Sequence, residues 1–162
     1  MTDTKVGVES VRERIIRQIV RNCKAMEPPT YSVTWRHVGR EPLEGLQSVI
    51  GDSLGIYDVS GVPQYQVGRI LDTVRVVFEF WYKMKAGDVA SIELNRMLAD
   101  LKKLILSNHS LIEEGTGLQL IERFTLLSDE FDIEGPSDEF VSGFLTVNVL
   151  YRYSSTDPYI LR

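Results

Sequence analysis

Phe140-Val-Ser-Gly-Phe-Leu-Thr-Val-Asn-Val-Leu-Tyr-Arg-Tyr153 alternates along its whole length. Val141, Leu145, Val147, Val149, Tyr151 and Tyr153 fall on one side, and Ser142, Thr146, Asn148 and Arg152 on the other. A period of two predicts a strand with one buried and one wet face. Strands of ~10 or more residues exceed the usual ~5–6 and often project beyond their own core. Ser-Ser-Thr-Asp-Pro158 follows. Pro158 has no N–H to donate, so the ladder is expected to stop there.

Working outward, Leu118–Leu127 reads as the antiparallel neighbour of that strand. Asp129, Glu130, Asp132, Glu134, Asp138 and Glu139 lie between the two, without a lysine or arginine and with Gly135-Pro136 in the middle. This segment, 128–139, is expected to be an acidic loop or an extension of the strand ends. Arg69–Lys83 is a second clear strand. Val74, Val76, Phe78, Phe80 and Tyr82 form its apolar face, while Val77 and Trp81 interrupt the polar one, which is therefore expected to be partly covered. Tyr31–Val38 also alternates and predicts a strand. Residues 39–68 hold eight glycines and prolines and read as an irregular excursion, with a short strand at Leu54–Val59.

Two segments carry helical spacing. Val11, Ile15, Ile19 and Cys23 recur along residues 10–25, where Ser10 and Glu13 fit a capping box and Pro28-Pro29 ends the element. Arg14, Arg17, Arg21 and Lys24 fall on its opposite face. The second helix runs from Asp88, its expected N-cap, to about Asn108. Leu94, Met97, Leu98, Leu101, Leu104 and Ile105 make its core stripe. Ile92, Ala99 and Leu106 form a thinner stripe on the other side. Strand and helix do not alternate strictly, which disfavours a doubly wound parallel sheet. The expectation is a single α+β domain over 1–162, with a mostly antiparallel or mixed sheet and two main helices on one face.

Composition narrows the function. The 162 residues are 43% hydrophobic and 25% charged, with a formal net charge of −5. That composition is ordinary for a globular domain. The net charge disfavours binding to nucleic acid or anionic membrane through bulk charge. Residues 111–162 hold ten acids against three bases, which predicts a negative region on the surface. Cys23 is the single cysteine, so no internal disulfide can form and a reducing compartment is expected. The start lacks the apolar core of a signal peptide, and no run approaches the ~18 apolar residues of a membrane span.

Catalytic chemistry is not legible. His37 and His109 stand apart, without the Cys/His/Asp spacing of a metal site. Cys23 lies on an apolar helix face, where a thiol acts as a small hydrophobe. Gly115-Thr-Gly117 lacks the Lys-Ser/Thr of a phosphate loop. The acidic run lacks calcium-loop spacing. The four-charge face of the first helix has no aromatic interleaving of the kind nucleic-acid binders use. No catalytic, cofactor or metal residue is therefore expected. The candidates for interaction are Arg14, Arg17, Arg21 and Lys24, the Ile92/Ala99/Leu106 stripe, and the acids Asp129, Glu130, Asp132, Glu134, Asp138 and Glu139.

The closing Val149-Leu-Tyr151-Arg-Tyr153 with Asp157-Pro158 resembles the last strand of phage tail terminator proteins. The element order resembles the same family: a helix at Val11–Cys23, a strand, an excursion, a strand at Asp72–Lys83 feeding one long helix at Ser91–Ser107, and closing strands. The resemblance implies a non-enzymatic virion protein, assembled in the host cytoplasm into a homo-oligomeric ring, most plausibly a hexamer. Such a ring caps the tail tube, ends its polymerisation and joins the tail to the head. Its implied partners are the tail-tube protein, the sheath protein and the neck or connector proteins, with DNA passing through the lumen without specific binding. Related neck proteins share similar folds, so another head–tail completion protein is the alternative. A small soluble enzyme or binding module of a host pathway is the alternative from a different class.

Overall fold

A computed structural model describes residues 9–43, 51–137 and 139–162. Helix α1 spans Val11–Lys24, and Ser10 Oγ accepts the Glu13 amide at 3.2 Å to start it. The Glu13 carboxylate is engaged by Arg40, so only half of the expected capping box forms. Helix α2 spans Ala90–Ser107. Its N-cap is Val89, without a side-chain hydrogen bond. Asp88, the expected cap, instead accepts from the Lys85 amide at 2.8 Å and the Tyr82 hydroxyl at 2.7 Å. It closes the turn before the helix rather than the helix itself.

The strands are β1 (His37–Gly39), β2 (Ser53–Gln66), β3 (Arg69–Lys83), β4 (Arg123–Ser137), β5 (Phe140–Ser154) and β6 (Asp157–Leu161). They form one mixed sheet in the order β1-β2-β3-β5-β4, with β6 also pairing β5. Only β1 and β2 are parallel. The fold is therefore α+β, as the sequence predicts, with β5 inside the sheet between β3 and β4.

The alternation of β3 and β5 sets where the core sits. Val74, Val76, Phe78 and Phe80 share a buried cluster with Leu145, Val147 and Val149. Ile15, Ile16 and Ile19 of α1 and Leu94, Leu98 and Leu101 of α2 complete it. Both helices thus cover the same face of the sheet, since each apolar stripe needs an apolar partner. The other face has a small cluster at one end, Leu43, Trp81 and Phe140. There buried Glu79 accepts from the Leu43 amide and from Trp81 Nε1, both at 3.0 Å. The partial cover expected over Trp81 is this segment.

Four expectations need correction. Tyr31–Arg36 is not a strand; pairing begins at His37. Val33 and Trp35 are buried and Ser32, Thr34 and Arg36 exposed, but the Ser32 and Val33 amides donate to Asp100 of α2 rather than to another strand. The short strand expected at Leu54–Val59 is part of a longer one, the 14-residue β2, so the excursion is less irregular than expected; the two-residue turn Val67-Gly68 leads from β2 into β3, with Gly68 at φ 74°. Residues 44–50 of that excursion lie outside the described residues. Residues 118–122 are not strand, and the acidic stretch takes the second of its two expected forms, an extension of the strand end rather than a loop, because β4 runs to Ser137. Pro158 does not end the pairing. Ser155-Thr156 turns the chain back, and Pro158 lies in short β6, where a missing N–H is tolerated.

Candidate interaction surfaces

The basic face of α1 is drawn inward. Arg14 donates from Nε and Nη2 to both oxygens of Glu113, at 2.9 and 2.7 Å. Arg17 adds a third contact to Glu113 at 3.2 Å and also pairs with Glu9. Arg21 reaches Glu114 at 3.2 Å. Glu113 is 4% exposed, on the segment between α2 and β4. The Arg14 hydrogen bonds, opposed by burial and helped by Thr116, hold its carboxyl down to about 2. Three of the five bases of α1, Arg14, Arg17 and Arg21, thus clamp the α2–β4 connection onto the helix, while Arg12 pairs with Asp58 of β2. Lys24 is exposed at the helix end. Sequence reading missed Glu113, because the pair Glu113-Glu114 ahead of Gly115 gives no pattern that singles out a buried carboxylate.

The outer stripe of α2 is different. Ile92 is 61% and Leu106 65% exposed, and Ala99 between them is exposed. The apolar stripe of seven-residue spacing therefore faces outward, with no element among the described residues laid on it.

The acids sit on edge strand β4. Asp129, Glu130, Asp132 and Glu134 are all exposed. Asp129 takes Lys102 of α2 at 2.7 Å, so it lies on the helix-covered side. Glu130 and Asp132 stand opposite Phe144 and Ser142. Glu139 follows β4 and lies 3.9 Å from Lys83; Asp138 lies outside the described residues. The acids cluster at the β4–β5 end of the sheet.

The opposite end has no such charge. Residues 59–68, Val-Ser-Gly-Val-Pro-Gln-Tyr-Gln-Val-Gly, are uncharged and all exposed. Val59 is 52%, Val62 61% and Tyr65 81% exposed. The glycines and proline that made this stretch read as loop hid a surface element. The helix-free sheet face bears half-buried Leu71, Val77, Phe144 and Leu150, with Thr73, Thr146 and Asn148 among them.

Other chemistry is sparse. Cys23 is buried, and burial pushes its thiol up, which suits an inert hydrophobe. His37 lies in β1 and His109 just past α2. Among the described residues no group of three or more His, Cys, Asp or Glu could hold a metal ion. No helix among them is long and apolar enough to cross a membrane.

No protein-family model and no curated protein matches the chain. Among solved structures it is similar to the sheath/tube terminator, in its extended state, of PVC, an extracellular contractile injection system, determined by cryo-EM. The TM-score is 0.39 at 12% identity. The match covers 86% of this chain and 58% of the terminator chain.

Proposed function

We propose that the chain is a structural, non-catalytic subunit of a ring that terminates a phage-like tail tube and joins it to the neck. The observation that carries this reading is the one-sided cover of the sheet. Three strands of 15 residues each lie in a chain of 162, and both helices pack on the same face. The second face, the β4 edge, the outer edge of β2 and the outer stripe of α2 remain as surface. Surface of this kind suits contact with other proteins rather than a pocket for a small substrate. The sequence resemblance in Val149–Tyr153 and Asp157-Pro158 supports the same class. In this reading the tube and sheath proteins meet one end of the ring and the neck proteins the other. DNA then passes through the lumen without specific binding, in keeping with the net charge of −5.

The experiment is electron microscopy of tails assembled without this chain. Overlong tubes that lack heads are expected, with normal length restored when the chain is supplied. Tubes of normal length that only fail to join heads would move the protein to the neck. Intact particles would overturn the structural reading.

A further inference from the structure

The sheet has two outer edges, and the ladder registers show what stands at equal height on each. One edge is β4, continued by short β6 beside the end of β5; the other is β1 and, beyond residue 55, β2. Since β2, β3, β5 and β4 are successively antiparallel, β4 runs antiparallel to β2. A second copy laid edge to edge would continue an antiparallel ladder. Following the pairs across the sheet, Val62, Thr73 and Leu150 lead to Arg123, and Asp58, Val76 and Val147 lead to Leu126. The uncharged part of β2 therefore stands level with the start of β4. Gly39, Gly55, Glu79 and Phe144 lead to Glu130, and His37, Ser53, Trp81 and Ser142 lead to Asp132. The acidic part of β4 thus stands level with β1, which is flanked by exposed Arg36 and by Arg40, the latter already paired with Glu13 and Asp58.

Two irregularities match as well. β2 shifts register between Asp58 and Ser60, and β4 between Leu126 and Ser128. The extra residues, Val59 and Leu127, are apolar and 52% and 44% exposed, and they lie on either side of the Asp58–Leu126 level, so that Val59 stands against Leu126 and Leu127 against Asp58. Pro63 pairs Asp72, which pairs Tyr151, one step beyond the Leu150 level where β4 begins. The residue that cannot donate to a ladder lies just outside the stretch where a ladder would form.

We propose that successive copies of this chain join by pairing the start of β4 of one copy with β2 of the next, Val59 against Leu126, with the β4 acids beyond running past β1 toward Arg36. The occupant of each edge is a second copy, by charge. Four acids on β4 oppose a β4–β4 pair, because like charges across a ladder repel. The bare, apolar β2 edge lacks the charges that guard exposed edges. Joining unlike edges is head-to-tail association, and pairing without stagger allows rotation to close it as a ring. This inference rests on the ring reading above and specifies its contact.

The test uses the full chain carrying Val59→Cys with Leu126→Cys under mild oxidation. Cross-strand neighbours come near disulfide distance, and buried Cys23 does not compete. The expected result on a denaturing gel is a series of multiples of the 18.4 kDa chain from the double variant and none from either single variant. Efficient dimers from one single variant would mean a two-fold edge and overturn the pairing. Multimers of the unaltered chain by native mass, without a cross-linked series, would overturn this contact and leave the ring. Monomer at every concentration, with no series, would overturn both. Charge exchange is the second arm. Glu130→Arg and Arg36→Glu should each weaken association at least about tenfold, and the double variant should regain it. Folded variants with no recovery would count against the pairing.

Discussion

A Cβ on Gly143 would stand 2.4 Å from Phe80 Cζ and 3.0 Å from Phe131 Cδ1. The missing side chain lets Phe80 lie across β5 and meet Phe131 edge to face, with centroids 6.4 Å apart. Gly143→Ala should therefore destabilise by overpacking, by about 1–3 kcal/mol, read as a lower denaturant midpoint at unchanged slope. Glu113 acts at the same scale through charge. Its carboxyl is held at about 2 against an ordinary 4.5, first by the Arg14 hydrogen bonds. The folded value is depressed, so the stabilisation is present above about pH 4.5 and is lost as pH falls toward 2. Glu113→Gln should cost about 1–3 kcal/mol at neutral pH. The gap to the unaltered chain should narrow on acidification, which thermal melts between pH 7 and 2 would follow.

Asp100 joins two elements. From α2 its Oδ2 accepts the Ser32 amide at 2.7 Å, the Ser32 hydroxyl at 2.6 Å and the Val33 amide at 3.0 Å. Asp100→Ala would strand these donors and should cost about 1–3 kcal/mol, with faster amide exchange at Ser32 and Val33 as the local sign. The same contact explains what the sequence hid. Alternation at Val33 and Trp35 correctly reports two sides, but sidedness does not name the hydrogen-bond partner, and here a helix carboxylate replaces a strand. β3, β5 and the core stripes of both helices were legible because apolar spacing alone specifies them. Of β2 only the short strand Leu54–Val59 was legible, because the glycines and Pro63 around it read as breakers. Gly55 is needed where the Glu41 carbonyl would stand 2.4 Å from a Cβ, and Pro63 is tolerated where β2 has no outer neighbour among the described residues. The acids of β4 left loop and strand extension both open because an edge strand with two exposed faces need not alternate.

At the scale of the whole chain, charge is separated along the sheet, with the acids of β4 at one end and the bare β2–β3 hairpin at the other. If unlike edges meet, salt should weaken assembly by screening the arginine–acid contacts. Native mass measured across a salt series should show smaller species as salt rises; insensitivity would point to a purely apolar contact. The candidate surface was half legible. The α2 stripe and the acids could be named from sequence, whereas the registers that set one edge against the other exist only in the folded sheet. The place of β5 has a further consequence, in the order of synthesis. It is the strand that links β3 to β4, yet residues 140–154 emerge from the ribosome after every other long strand. Until then β1–β3 and β4 have no common partner, and the apolar face of β3 lacks its main neighbour. Joining them late closes long loops, which is slow. A nascent chain paused before Phe140 should thus be a preferred chaperone client, and the sheet's two outer edges become a pair only when translation is nearly done.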